Sequence, residues 1–207
     1  MNNLVLVNKT HSIDATYEPN DLEFCDEKTE CHFNYGSTIR REVLSRFIQL
    51  RKDALRMKYD IYVFSGYRSY NQQQSTFDSF FQRNYLKLKQ QYPNESEESL
   101  RKQAYLLTTN RVALPGQSEH QTGLAMDIAC FYNSNYDEDL SNNYEIEWMR
   151  DNAHKYGFIL RYPKGKEDIT GYSFEPWHYR YVGEEHSFNI TSGDYTLEEY
   201  HERVLRQ

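Results

Sequence analysis

Apolar residues change period repeatedly along this chain, from helical spacing to short strand-like runs and back, and that alternation limits the fold more than any other feature. Val43, Phe47, Leu50, Ala54 and Met57 fall at steps of four, three, four and three, which predicts a helix over 40–57. Asp60-Ile-Tyr-Val-Phe64 reads as a short strand ended by Ser65-Gly66. Phe77, Phe80, Phe81, Tyr85 and Leu88 give residues 71–90 helical spacing; Pro93-Asn94 breaks it, and Leu100, Ala104 and Leu107 predict the next helix. Pro115 and Gly116 mark 111–122 as a loop. Beyond it, Leu124–Phe131 reads as a strand, and Ile146, Met149 and Ala153 predict a helix over 144–156 that Gly157 closes. Phe158–Arg161 and His178–Val182 read as further strands, and Thr196-Leu-Glu-Glu199 is a capping box opening a last helix. Irregular alternation without βαβ repetition predicts an α+β fold, a small mainly antiparallel sheet flanked by helices.

With 207 residues, no internal repeat and no Pro-, Gly- or Ser-rich linker, one domain spanning 1–207 is the simplest organisation. Nineteen tyrosines and eleven phenylalanines predict an aromatic core whose buried hydroxyls need partners. A net charge of −7 argues against a general nucleic-acid binder but leaves room for a local basic pocket. The N-terminus has one short apolar run and no basic leader or cleavage site, and no stretch reaches membrane-spanning length. With Met1 as the native start, the expected location is the cytoplasm, and three cysteines, Cys25, Cys31 and Cys130, are then expected to be reduced. A zinc site from Cys25, Cys31 and His32 lacks a second ligand pair nearby, so that stretch reads as a loop.

Three segments hold the residues of chemistry: Ser65-Gly-Tyr-Arg-Ser-Tyr-Asn-Gln-Gln73, Ser118-Glu-His-Gln-Thr-Gly-Leu-Ala-Met-Asp127 and Glu175-Pro-Trp-His178. His120, Asp127 and His178 offer two imidazoles and a carboxylate, a set that suits a catalytic zinc and leaves a position for water. Because residues at odd separation point to opposite faces of a strand, His120 must sit on the loop, with the chain turning at Gly123. Pro176 pushes Glu175 extended, where its carboxylate can stand beside the metal as general base without being a ligand. Glu119 is the competing base, but its adjacency to His120 points it away from a shared metal. Arg68 follows the 60–64 strand through a tight turn, and its fork can hold a free C-terminal carboxylate with Ser118 and Gln73 adding neutral hydrogen bonds; alternatively it pairs with a structural acid. His11, His32, His154, His186 and His201 read as structural or exposed, Trp177 as pocket wall or core, Asp137-Glu-Asp139 as a solvated loop and Lys164-Gly-Lys166 as a surface turn.

In combination these segments resemble the zinc D,D-peptidases of bacterial cell-wall metabolism, whose pattern is Ser-x-His-x6-Asp, then Glu-x-x-His, after an upstream Gly-Tyr-Arg-[Ser/Thr]. Leu-Val-Asn-Lys-Thr-His near the start, Ala113–Gly123, Tyr156–Pro163, Ile169-Thr-Gly, Glu175–Gly183 and Thr196–His201 look like the bifunctional vancomycin-resistance enzymes of VanXY type, with 75–108 the least similar stretch. The resemblance implies the fold shared with the hedgehog signalling domain and one zinc per chain on His120, Asp127 and His178. It implies Glu175 as base and Arg68, Gln73 and Ser118 as substrate contacts. It also implies a cytoplasmic enzyme that cleaves D-Ala-D-Ala, trims D-Ala from the pentapeptide precursor and thereby confers glycopeptide resistance. Ser65 stands where a relative of this type has Asp before Gly-Tyr-Arg, a departure that bears on the dipeptidase activity. The same motifs serve an L,D-carboxypeptidase acting on tetrapeptides. A muralytic endopeptidase needs an open groove rather than the Arg68 clamp, and a non-catalytic zinc-stabilised binding module needs no base at Glu175.

Overall fold

The computed structural model describes residues 2–25, 37–130 and 143–205. Strands β1 (Leu22–Cys25) and β2 (Ser37–Arg40) form an antiparallel pair that leads directly into helix α1 (Arg41–Arg56). Strand β3 (Ile61–Ser65), helices α2 (Tyr70–Gln91) and α3 (Glu97–Thr109), strand β4 (Ala125–Cys130), helix α4 (Tyr144–Asn152), strand β5 (Phe158–Leu160), the short helix α5 (Glu167–Thr170), strand β6 (His178–Tyr181) and helices α6 (Glu184–Ser192) and α7 (Leu197–Tyr200) follow. The main sheet has the order β3-β4-β6-β5, and every pairing in it is antiparallel. The architecture is the α+β arrangement the spacing predicts. The β1–β2 pair, α5 and α6 are additions that the periodicity left unread.

Val43, Phe47, Leu50 and Ala54 of α1 pack on the inner face of the sheet with Ile61, Val63, Met126, Ile128, Tyr179 and Tyr181; Ile146 and Met149 of α4 close the same core. Burial of this apolar face against the two helices is what drives them onto the sheet. The phenol of Tyr181 reaches Glu42 at 2.6 Å, so at least one of the core tyrosines satisfies its hydroxyl at the rim of α1. A second cluster, Leu4, Ile159, Val182, Ile190, Leu197 and Tyr200, fastens the N-terminal segment and the last helices onto the other side of β5. Helices α2 and α3 form an antiparallel hairpin with their own seam of Tyr85, Leu88, Leu100 and Ala104. Leu107, expected on the buried stripe of α3, is exposed; the stripe continues from Ala104 to Thr108, the residue four further on.

Helix starts follow their caps. Ser69 caps α2 in a reciprocal box with Gln72, and Thr196 caps α7 in the same way with Glu199. Gly157 sits at φ 89 and ends the turn after α4, as expected of that glycine. Cys25 is disulfide-bonded and Cys130 is a buried free thiol. This corrects the expectation of reduced cysteines throughout, and a sulfur committed to a disulfide cannot also be a zinc thiolate. Cys31 and His32 lie outside the described residues, as does the Asp137-Glu-Asp139 cluster. No helix among the described residues is long and apolar enough to cross a membrane.

Gly66, directly after β3, lies tight against β2. A Cβ there would meet the Thr38 carbonyl, Ile39 Cγ2 at 2.5 Å and Ser37 Oγ at 2.8 Å. Gly66→Ala should therefore cost about 1–3 kcal/mol, read as a lower midpoint in chemical unfolding. An unchanged midpoint would show that β2 moves aside freely.

Candidate active site

Strand alternation builds one wall of the site. Met126, Ile128 and Cys130 of β4 enter the core, which turns Asp127 to the opposite face; Tyr179 and Tyr181 do the same for His178 and Arg180 on β6. Asp127 and His178 are direct cross-strand partners, so register alone brings carboxylate and imidazole together. On the other flank, β3 would present Ser65 to the core, but a bulge intervenes. Val63 pairs with Ile128 and Ser65 with Asp127, leaving Phe64 as the extra, exposed residue. Ser65 is thereby placed beside Asp127.

His120 arrives from a 3₁₀ turn over Glu119–Thr122, and Gly123, at φ 67, turns the chain into β4. Its Nδ1 lies 2.6 Å from the Gly66 carbonyl. An acceptor there requires the proton on Nδ1 and leaves Nε2 with its lone pair. That Nε2 is buried without a hydrogen-bond partner and sits 3.4 Å from Asp127 Oδ2, while His178 Nδ1 sits 3.1 Å from Asp127 Oδ1. One ligand atom from each of the three residues lies within 4.8 Å of the others. Ligand atoms at about 2.1 Å from a tetrahedral zinc stand about 3.4 Å apart, so both the donor set and its spacing fit such an ion.

The local field also favours a cation. Burial and the Arg68 guanidinium lower His120 to about 4, so the ring is neutral, as a ligand must be. Burial disfavours charge on His178 too, but Asp127, Glu119 and Glu175 outweigh it and raise that ring to about 9. Three carboxylates around one imidazole call for positive charge, whether a proton or a metal.

Glu175 Oε2 is 3.7 Å from His178 Nδ1, beside the cluster yet outside the three-residue set. Burial pushes its carboxyl up to about 7, with His178, Arg111 and Arg68 offsetting only part of that penalty. Its backbone N–H donates to the Tyr162 carbonyl at 3.1 Å, and the Tyr162 ring packs 4.8 Å from that of His178. Arg68 sits at the other end. Its N–H donates to the His120 carbonyl at 3.2 Å, its Nη2 is 3.6 Å from Asp127 Oδ2, and its Nε is buried without a hydrogen-bond partner. The two expectations for this side chain thus meet in one place, loosely paired with an acid and still offering a donor. Gln73 is buried, with Nε2 donating to the Ala113 carbonyl at 2.7 Å and Oε1 left without a partner; Ser118 is buried at the start of the 3₁₀ turn. All seven residues singled out from the sequence line one cleft of about 540 Å³.

Glu119 lies behind the site. Its Oε1 accepts from Arg161 Nε at 2.8 Å and from Arg180 Nη1 at 2.7 Å, and all three side chains are fully buried. Burial alone would raise its carboxyl; the two guanidiniums outweigh that and hold it well below the carboxylate range. Its Oε2 faces His178 Nε2 at 3.7 Å, beyond hydrogen-bond length but on the side of the ring away from Asp127. Sequence reasoning missed Arg161, Arg180, Tyr162 and Arg111. Arg180 had a signal, since it lies two residues after His178 on the same strand face.

An antiparallel sheet bearing a His-Asp-His cluster with a buried carboxylate and a guanidinium in one cleft is a layout suited to hydrolysis, and the family that the chain matches is one of cell-wall peptidases. The chain matches the VanY family, D-alanyl-D-alanine carboxypeptidase, over residues 36–184, and it belongs to that family. It is 41% identical to the putative carboxypeptidase YodJ of Bacillus subtilis, across 99% of this chain and 69% of that protein. It is 34% identical to the bifunctional D-Ala-D-Ala dipeptidase and carboxypeptidase VanXYC of Enterococcus gallinarum, across 100% of this chain and 97% of that one. Among solved structures, the LdcB LD-carboxypeptidase superposes with a TM-score of 0.80 at 39% identity, covering 98% of this chain and 86% of that one.

Removing Glu119 would leave two buried guanidiniums facing each other. Glu119→Ala should cost about 3–5 kcal/mol in denaturant unfolding, and an effect under about 1 kcal/mol would show that the cluster relaxes to solvent.

Proposed function

We propose that this chain is a zinc-dependent carboxypeptidase, a single domain over 1–207 that removes a C-terminal D-Ala from peptidoglycan stem peptides. The observation behind this reading is the convergence in one cleft of the His120–Asp127–His178 set, the buried Glu175 carboxylate beside it and the Arg68 donor. Zinc, when bound, polarises the scissile carbonyl and makes a water acidic enough to be used near neutral pH. Arg68 takes the peptide's terminal carboxylate through its fork, and Ser118 with the Gln73 Oε1 completes the neutral contacts. Glu175 accepts the proton from the attacking water and passes it to the leaving amine. Its burial keeps the carboxylate basic enough for both transfers and excludes competing solvent.

On the D,D reading the substrates are D-Ala-D-Ala and the pentapeptide precursor, and the product pool no longer binds vancomycin. Similarity to VanXYC across nearly the whole of both chains supports it, and it requires work in the cytoplasm. On the L,D reading the substrate is the tetrapeptide. The structural likeness to the LD-carboxypeptidase supports that, as does Ser65, which offers no carboxylate to the free amine of a dipeptide. The disulfide at Cys25 suits an oxidising compartment and so sits better with wall peptides outside the membrane.

Release of D-Ala by zinc-loaded protein from the dipeptide, the pentapeptide and the tetrapeptide separates these readings. Activity on the first two supports D,D hydrolysis, activity on the tetrapeptide alone supports L,D trimming, and silence on all three with zinc bound favours a non-catalytic module. A chelator should abolish turnover, and added zinc should restore it. Glu175→Gln should lower kcat by about 10²–10⁴-fold with zinc content intact; normal turnover would remove it as base. Arg68→Ala should lower kcat/KM by about 10–100-fold on peptides with a free C-terminus, and an unchanged value would take Arg68 out of the site.

A further inference from the structure

An imidazole that binds a metal through one nitrogen still has a second, and the surroundings treat that second nitrogen differently on the two histidines. On His120 it is Nδ1, 2.6 Å from the Gly66 carbonyl. On His178 the order is reversed. Nδ1 faces Asp127 Oδ1 at 3.1 Å and Glu175 Oε2 at 3.7 Å, so it is the nitrogen on the side of the cluster. Nε2 faces the other way, toward Glu119 Oε2 at 3.7 Å. Both of these atoms are buried, and neither has a hydrogen-bond partner among the described residues. A donor and an acceptor thus stand face to face, about 0.7 Å beyond ordinary hydrogen-bond length.

The ion cluster keeps that oxygen aimed at the ring. Glu119 Oε1 takes Arg161 Nε at 2.8 Å and Arg180 Nη1 at 2.7 Å. The remaining nitrogens of both guanidiniums are engaged away from Oε2. Those of Arg161 donate to Glu198 at 2.9 and 2.6 Å, and Glu198 is itself held by Asn8 Nδ2 at 3.1 Å. Arg180 Nε donates to the Tyr181 carbonyl at 3.1 Å, and its Nη2 to the carbonyls of Asn3 and Val5 at 2.9 and 2.8 Å. Burial opposes charge on Glu119, but Arg161 and Arg180 outweigh it and keep the carboxylate ionised. A buried, ionised oxygen is costly until a donor reaches it. An imidazole N–H is such a donor, and a proton on Nε2 leaves the Nδ1 lone pair directed at the cluster.

We propose that Glu119 is a positioning residue for the metal: its Oε2 accepts the Nε2–H of His178 and so fixes the tautomer in which Nδ1 is a ligand. The role rests on the zinc site of the carboxypeptidase reading and not on its substrate. His120 is backed by a neutral carbonyl and His178 by an ionised carboxylate, and the charged acceptor makes the second imidazole the more basic ligand. Glu119 thereby acts through His178 and takes no part as a base.

Glu119→Gln separates this task from packing. Its amide oxygen keeps the two guanidinium donors, which turns the amide nitrogen toward His178 Nε2. Two donors then oppose each other, and the tautomer that relieves the conflict carries its proton on Nδ1, where it blocks the metal. Glu198→Gln removes the same charge from the same cluster without touching His178. Zinc Kd is measured on the full chain by competition with a chromophoric chelator, and the unfolding midpoint of each metal-free protein alongside it. Glu119→Gln should weaken zinc binding about 10–100-fold, whereas Glu198→Gln should leave Kd nearly unchanged although both substitutions lower the midpoint. An unchanged Kd in Glu119→Gln would overturn the role, as would an equal loss in Glu198→Gln. A second measurement needs no variant. Nitrogen NMR of the zinc-loaded, unaltered protein should show His178 bound through Nδ1, with a proton on Nε2 that exchanges slowly with solvent. A proton on Nδ1, or an Nε2 proton that exchanges as fast as that of an exposed imidazole, would overturn the role even if Glu119→Gln does not fold. Neither readout uses turnover. Zinc binding that depends on Glu119 in a protein that cleaves no D-Ala peptide would overturn the carboxypeptidase reading and leave the positioning role standing, whereas hydrolysis with zinc binding indifferent to Glu119→Gln would do the reverse.

Discussion

The pairing of Glu119 with Arg161 and Arg180 is the interaction on which the rest of the site depends. Burying ions costs several kcal/mol for each, and an isolated charge in this position would not be tolerated. Here the set is neutral, two arginines against Glu119 and Glu198. Arg161 sends its other arms to Glu198 at 2.9 and 2.6 Å, and Arg180 donates to the Asn3 and Val5 carbonyls at 2.9 and 2.8 Å. The cluster thereby joins the N-terminal segment, the turn that bears His120, strand β6 and helix α7. An apolar replacement of equal volume could match its stability. It would not fix how the turn sits against the strand, because apolar contacts have no direction. Glu119 is the neighbour of His120, and Arg180 follows His178 by two residues, so fixing one pair of side chains fixes the separation of two imidazoles.

The sheet divides the labour between its faces. One face of β4 and β6 gives Met126, Ile128, Tyr179 and Tyr181 to the core, and the other gives Asp127, His178 and Arg180 to the site and its support. A one-residue slip of register would exchange the two sets and destroy both. Core packing against α1 and α4 is therefore what holds the carboxylate beside the imidazole. The bulge at Phe64 extends the arrangement to β3. In a regular strand without the bulge Ser65 would point into the core, and the Gly66 carbonyl, which orients His120, would lie elsewhere.

The parts legible in the sequence were those governed by local rules. The helical spacing from Val43 to Ala54, the Thr196–Glu199 capping box, the closing glycine at 157 and the need for a turn at Gly123 each follow from a few neighbouring residues. Leu107 shows where that reasoning ends. Three apolar residues on α3 fitted one stripe, but contact with α2 buries Thr108 instead, and only the partner helix decides that. The β1–β2 pair was invisible because four-residue strands leave too short a period to read. Arg161 and Arg180 were missed for a different reason. Arginine is ordinarily a surface residue, and its burial is licensed by Glu119 and Glu198, which are distant in sequence. Cys25 was misjudged because the odd total and the lack of a leader favoured reduced thiols over a bridge from Cys25 to the nearby Cys31, when a single bridge with one buried thiol at Cys130 fits an odd total equally well.

Helices α2 and α3 have their own apolar seam and a hydrogen bond between them, Asn84 to Thr108, while Gln73 of α2 holds the Ala113 carbonyl of the segment that follows α3. The cleft is thus made of two packing units. The sheet and its buried ion cluster hold the groups proposed for bond cleavage, where errors of a few tenths of an ångström matter. The hairpin presents Thr76, Phe80 and Arg83 along a wall whose interior is packed independently. Side chains on that wall can differ without disturbing the ligand geometry, since neither Tyr85 nor Leu88 touches the sheet's core cluster. The span 75–108, where the sequence offered the fewest family motifs, coincides with this hairpin. On physical grounds that is where a peptidase of this construction can alter which peptide it accepts while leaving intact the chemistry that cuts it.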